Sequence, residues 1–118
     1  MKIPGPDHPI TISPYRGRVV VRFHGTIVAD TEHAMKLEEA HYKPVLYFPR
    51  NDARLSHYES SERRTHCPYK GDASYFHLTS DDARADNAVW TYETPFPAMK
   101  AIEGHVAFYP DRVTFAAE

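Results

Sequence analysis

The chain has 118 residues, of which 42% are hydrophobic and 25% charged, the proportions of an ordinary folded globular protein. That length supports one hydrophobic core of useful size, so residues 1–118 are read as a single domain. A net charge of −2 argues against a strongly basic nucleic-acid binder or a membrane-surface protein, and the one cysteine excludes an internal disulfide and any multi-cysteine zinc site.

In chain order, Pro4, Pro6, Pro9 and Pro14 make residues 1–14 an extended amino-terminal arm, with no apolar run of the kind a secretion signal needs. Arg18 to Phe23 is rich in β-branched residues, and His24-Gly25 separates it from Thr26-Ile27-Val28-Ala29, a hairpin signal. Asp30-Thr31 offers N-cap side chains for a short helix in which Ala34, Leu37 and His41 share one face. Lys36, Glu38 and Glu39 mark its wet side, and Pro44 ends it. Val45 to Phe48 reads as a strand, and residues 52–72 read as a polar stretch with apolar touches at Leu55 and Tyr58.

Ala73 to Leu78 resumes strand character, and residues 80–87 form an exposed acidic loop. Ala88, Trp90 and Tyr92 fall on one face of the next strand, which Pro95-Phe96-Pro97 breaks. Ala98 to Glu103 predicts a short helix stopped by Gly104, and residues 105–115 a closing hairpin through Pro110-Asp111. The sum is a mostly β fold of short antiparallel strands with two small helices. No apolar run is long enough to span a bilayer.

Cys67 lies between His66 and Pro68, with Lys70 three residues on. A neighbouring cation favours the reactive thiolate, so Cys67 and Lys70 are candidates for nucleophilic, redox or ligand chemistry. The structural alternative is a packed cysteine beside a turn shaped by Pro68 and Gly71. Arg50 and Asp52 flank a proline turn at a strand end; Arg50 can grip an anion and Asp52 can orient Arg50 or Lys70. A local ion pair fixing that turn explains them equally well. Trp90 and Tyr92 offer flat apolar area with polar tips, suited to a pocket wall and equally to a core. The eight histidines include no His-x-His or His-x-x-x-His pair, so no metal site and no cofactor is expected. The segment 67–72 lacks the glycines and the Ser or Thr of a phosphate loop, and Arg63-Arg64 is balanced by Glu59 and Glu62, so no nucleic-acid partner is expected.

Several motifs together resemble a bacterial family known as domain of unknown function 427. They are Tyr47-Phe48-Pro49-Arg50-Asn51-Asp52, Thr65-His66-Cys67-Pro68-Tyr69-Lys70-Gly71-Asp72, Val89-Trp90-Thr91-Tyr92-Glu93 and Ile102-Glu103-Gly104-His105-Val106. The resemblance implies a β-tent fold, two antiparallel sheets pinned at one edge and splayed at the other. Relatives of that fold include methionine sulfoxide reductases of the B type and the thalidomide-binding domain of cereblon, many with a zinc held by two Cys-x-x-Cys pairs. With Cys67 alone, that zinc does not carry over. The family is also labelled nucleotidyltransferase-like, but the carboxylate pattern such enzymes use is not found here.

The expected function is small-molecule binding between the sheets, with Cys67, Lys70, Trp90 and Tyr92 lining the pocket and Arg50 and Asp52 at its rim. The rival readings are an enzyme using Cys67 as nucleophile or redox centre, and a protein-interaction module. Exposed edge strands would also serve a homo-oligomer. The single cysteine fits a reducing cytoplasm.

Overall fold

The computed structural model describes residues 1–118 and is built from ten strands and three short 3-10 turns. The strands are β1 (Ile10–Pro14), β2 (Val19–Phe23), β3 (Thr26–Thr31), β4 (Met35–Glu39) and β5 (Val45–Tyr47). They continue as β6 (Tyr58–Cys67), β7 (Gly71–Thr79), β8 (Arg84–Thr91), β9 (Val106–Phe108) and β10 (Thr114–Ala117). The mostly β, antiparallel expectation holds. The hydrogen-bonded groups number three rather than two, in the orders β1-β4-β5, β10-β2-β3 and β6-β7-β8-β9.

Two hydrophobic cores flank the β8–β9 layer. Val89, Val106 and Phe108 face the first, with Val21, Phe23, Val28 and Leu78. Ala107 faces the second, with Leu37, Tyr47, Tyr75, Tyr92, Met99 and Ile102. Because neighbours along a strand point to opposite sides, burying both faces makes Val106-Ala107-Phe108 a continuous apolar run. Phe48 and Val106 exchange both backbone hydrogen bonds, at 2.8 and 2.9 Å, and so pin β5 to β9.

The β2–β3 hairpin turns at His24 and Gly25, both with positive φ, as a two-residue turn of this hand requires. The helix expected after Asp30 is a correction. Met35–Glu39 is a strand, with Leu37 paired to Ile12 on one side and Val45 on the other. Ala34, Leu37 and His41 fit a helical period, but Met35, Leu37 and Glu39 fit a period of two equally. Strand partners on both sides decide it, and Ala40, at φ 47°, ends it.

Within the polar stretch, residues 58–67 form β6, an edge strand whose outward side carries the charges. The arm ends as β1, and β8 begins inside the expected acidic loop, at Arg84. The second helix is a 3-10 turn over Pro97–Ile102, with Gly104 at φ 70° just beyond it. The closing hairpin is also corrected. β9 pairs with β8, whereas β10 crosses to β2, placing Phe115 opposite Val21. Asn87, at φ 53°, bulges β8 and sends Ala88 into the first core, away from Trp90 and Tyr92.

Candidate functional site

Between the β1-β4-β5 sheet and the β6-β7-β8-β9 sheet lies a cavity of about 280 Å³. Leu37, Glu39, Tyr42, Val45 and Tyr47 form one wall. Lys70, Tyr75, Trp90, Tyr92 and Tyr109 form the other. Alternation explains the facing wall: Tyr75 and Trp90 are register partners on adjacent strands, so their side chains leave the sheet on the same side.

The Trp90 indole N–H donates to the Tyr47 hydroxyl at 3.2 Å, across the gap between the sheets. Its ring lies edge-on to Tyr47 at 6.3 Å and tilted against Tyr109 at 4.7 Å. Burial holds the Tyr47 and Tyr92 hydroxyls protonated well above the usual tyrosine range, so both are neutral phenols.

The polar end is an ion pair. Lys70, only 7% exposed, donates from Nζ to Glu39 Oε1, and the other Glu39 oxygen is 2.7 Å from His8 Nε2. Burial alone would raise the Glu39 carboxyl, but hydrogen bonds from Lys70 and His8 outweigh it and hold the group below the usual carboxylate range. His8 is held in turn by stacking on Tyr69 at 4.1 Å. The turn that presents Lys70 is fixed by the Phe96 amide, which donates to the Lys70 carbonyl at 2.9 Å. Gly71 follows at φ 114°, where an added Cβ would sit 3.5 Å from the Phe96 backbone nitrogen.

Of the six residues singled out in the sequence, Lys70, Trp90 and Tyr92 line this cavity. Cys67 is next to it: its Sγ is 3.8 Å from Lys70 Nζ, and it packs against the second core rather than into the opening. Arg50 and Asp52 lie elsewhere. Arg50 Nη2 donates to Thr91 Oγ1 at 3.0 Å and to Glu93 at 2.8 Å, with its guanidinium over Phe76 at 5.5 Å. Thr91 and Phe76 are chain neighbours of Trp90 and Tyr75, so they leave the sheet on the face away from the cavity. Asp52 accepts from Thr31 Oγ1 at 2.7 Å and pairs with neither Arg50 nor Lys70.

Glu39, Tyr47, Tyr75, Tyr109 and His8 were not singled out in the sequence. Reading Met35-Leu37-Glu39 with a period of two would have pointed Glu39 inward beside Leu37. Nothing local marks His8, whose partner Glu39 is 31 residues away.

No group of three or more His, Cys, Asp or Glu side chains converges on a point where a metal ion could sit. No helix is long and apolar enough to cross a membrane. Comparison with curated proteins gives no match. A family described as a domain of unknown function, DUF427, matches residues 11–118, which takes in every cavity-lining residue, and the chain belongs to that family.

Proposed function

We propose that this protein binds a small organic molecule in the cavity between the two sheets. The observation that carries the reading is the lining: aromatic rings from both sheets converge on a single buried Lys70–Glu39 pair. Ligand sites have this character, mostly apolar walls with a few placed polar groups that set orientation. At about 280 Å³ the cavity is at the small end of such sites, which favours a metabolite of modest size over a nucleotide. The enzyme reading would require the Cys67 thiol to open on the cavity. It packs behind Lys70 instead, and binding is the function this geometry supports best. The free cysteine accords with a reducing compartment, and a cytoplasmic location is part of the same proposal.

A thermal-shift screen of a metabolite library tests the reading. A ligand present at a hundred times its dissociation constant stabilises the fold by about 2.7 kcal/mol. That corresponds to a melting shift on the order of 10 °C in a domain of this size. A hit whose shift persists in Lys70→Met and in Tyr92→Phe/Tyr75→Phe would place the ligand elsewhere and refute the cavity as its site.

A further inference from the structure

A second opening adjoins the cavity. It is an apolar groove of about 460 Å³ lined by Pro44, Val45, Leu46, Phe108, Pro110 and Phe115, together with Trp90 and the edge residue Lys43. Val45 and Trp90 line both openings, so the two meet along the indole.

The groove arises from an interrupted ladder. β5 and β9 are bridged by the Phe48–Val106 pair and pair nowhere else. In an antiparallel strand every second residue turns its N–H and C=O to the same side. Phe48 bonds toward β9, so Leu46 also turns its backbone groups that way. Val106 bonds toward β5, so Phe108 does likewise. Leu46 and Phe108 would be the next rung, but the strands have already diverged. The gap is walled by Leu46 and Phe108 and floored by Phe115, which stacks on Phe48 at 6.4 Å and remains 42% exposed.

We infer that the cavity and the groove are one continuous cleft for an amphipathic ligand, with a small uncharged polar head beside Lys70 and Glu39 and an apolar tail passing Trp90 into the slot between β5 and β9. This rests on the cavity being the binding site. The head is uncharged because Lys70 and Glu39 already neutralise each other. An anion would be pressed against Glu39 and a cation against Lys70, each desolvated beside a like charge. Lys70 Nζ keeps one N–H beyond those turned to Glu39 and Cys67, and each Glu39 oxygen keeps a lone pair beyond its bond to Lys70 or His8, so a donor and an acceptor stand side by side, which suits an amide. The tail is apolar because the groove walls are almost all carbon, with Lys43 and backbone groups only at the edges.

Straight-chain primary amides from propanamide to octanamide are the probes, with binding read by the emission of Trp90, the only tryptophan. Affinity is expected to rise about fourfold for each methylene that enters the groove. Phe115→Gln should flatten the rise for the longer amides and leave the shorter ones unchanged, whereas Phe115→Leu should keep it. Octanamide should bind more tightly than octanoate or octylamine. A flat series, a rise indifferent to Phe115→Gln, or tighter binding of either charged analogue overturns the inference. The library screen reads the cavity independently. A library hit lost in Lys70→Met, combined with a flat amide series, removes the tail chamber and leaves the cavity reading standing.

Discussion

Glu39 on β4 and Lys70 in the β6–β7 turn are ion-paired although 31 residues separate them. Their side chains are 15% and 9% exposed, so each shields the other from being left as an uncompensated buried charge. Glu39→Gln should destabilise the fold by about 3 kcal/mol, because Lys70 is left without a carboxylate. The double variant Glu39→Gln/Lys70→Met should cost clearly less than the sum of the single changes. Urea unfolding of the four proteins measures this, and strict additivity would show that the pair is not coupled.

Acid should remove the same contribution. The folded Glu39 carboxyl titrates below its unfolded value, so the stabilisation is fully present above the ordinary carboxylate range. It is lost as pH falls through the lower, folded value. The stability gap between the native protein and Glu39→Gln should therefore be constant near neutrality and narrow below about pH 4.3. A gap that stays constant down to pH 3 would contradict the pairing.

The Tyr47 hydroxyl is the acceptor for Trp90 Nε1, and Tyr47 is only 2% exposed. Tyr47→Phe keeps the ring but leaves the indole N–H facing the cavity without that acceptor. The expected cost is about 1–3 kcal/mol, with a change in Trp90 emission. Tyr42→Phe, at the exposed mouth, is the control and should alter neither stability nor spectrum.

Gly71 tests the support of the Lys70 turn. Gly71→Ala places a Cβ at a φ of 114° and against the backbone of Pro95 and Phe96. A cost of about 1–3 kcal/mol is expected from the conformation alone. Gly17→Ala, at φ 105° with open space around it, carries the conformational cost without the backbone contact. The added Cβ at 3.5 Å is in ordinary van der Waals contact, so the two variants should lose similar amounts of melting temperature, and a clearly larger loss in Gly71→Ala would show that the Lys70 turn has to shift.

The β2–β3 hairpin and the turn at Gly104 were legible in the sequence because their signals are local, whereas the expected closing hairpin was not, since β9 and β10 find partners far along the chain. The resemblance carried by the Cys67–Lys70 and Trp90–Tyr92 segments led to the part of the cavity they line. What the sequence concealed depends on partners far along the chain. Met35–Glu39 satisfies both helical and strand periods, and only Ile12 and Val45 on either side choose between them. Glu39 was assigned to the wet side of a helix for that reason, and its inward position followed the strand. Arg50 and Asp52 were grouped with Lys70 by residue chemistry, but their partners in space are Thr91, Glu93 and Thr31. Alternation along β8 puts the Arg50 partner Thr91 on one face and Trp90 on the other.

The double burial of the β8–β9 layer has a consequence for how the cleft opens. Amides of Trp90 and Ala107 are covered by a core on each face, so their hydrogen exchange should require near-global unfolding. The β1-β4-β5 sheet packs mainly on the second core, with Leu46 alone reaching the first, and β1 is an edge strand with exposed residues. Its amides should exchange through smaller, local openings. The β8–β9 wall of the cavity is therefore expected to be the more rigid, and the β1-β4-β5 wall, bridged to it through Phe48–Val106, the more compliant. Ligand-induced protection should accordingly concentrate at Leu37 and Val45, on the compliant wall, and be least at Trp90 and Ala107.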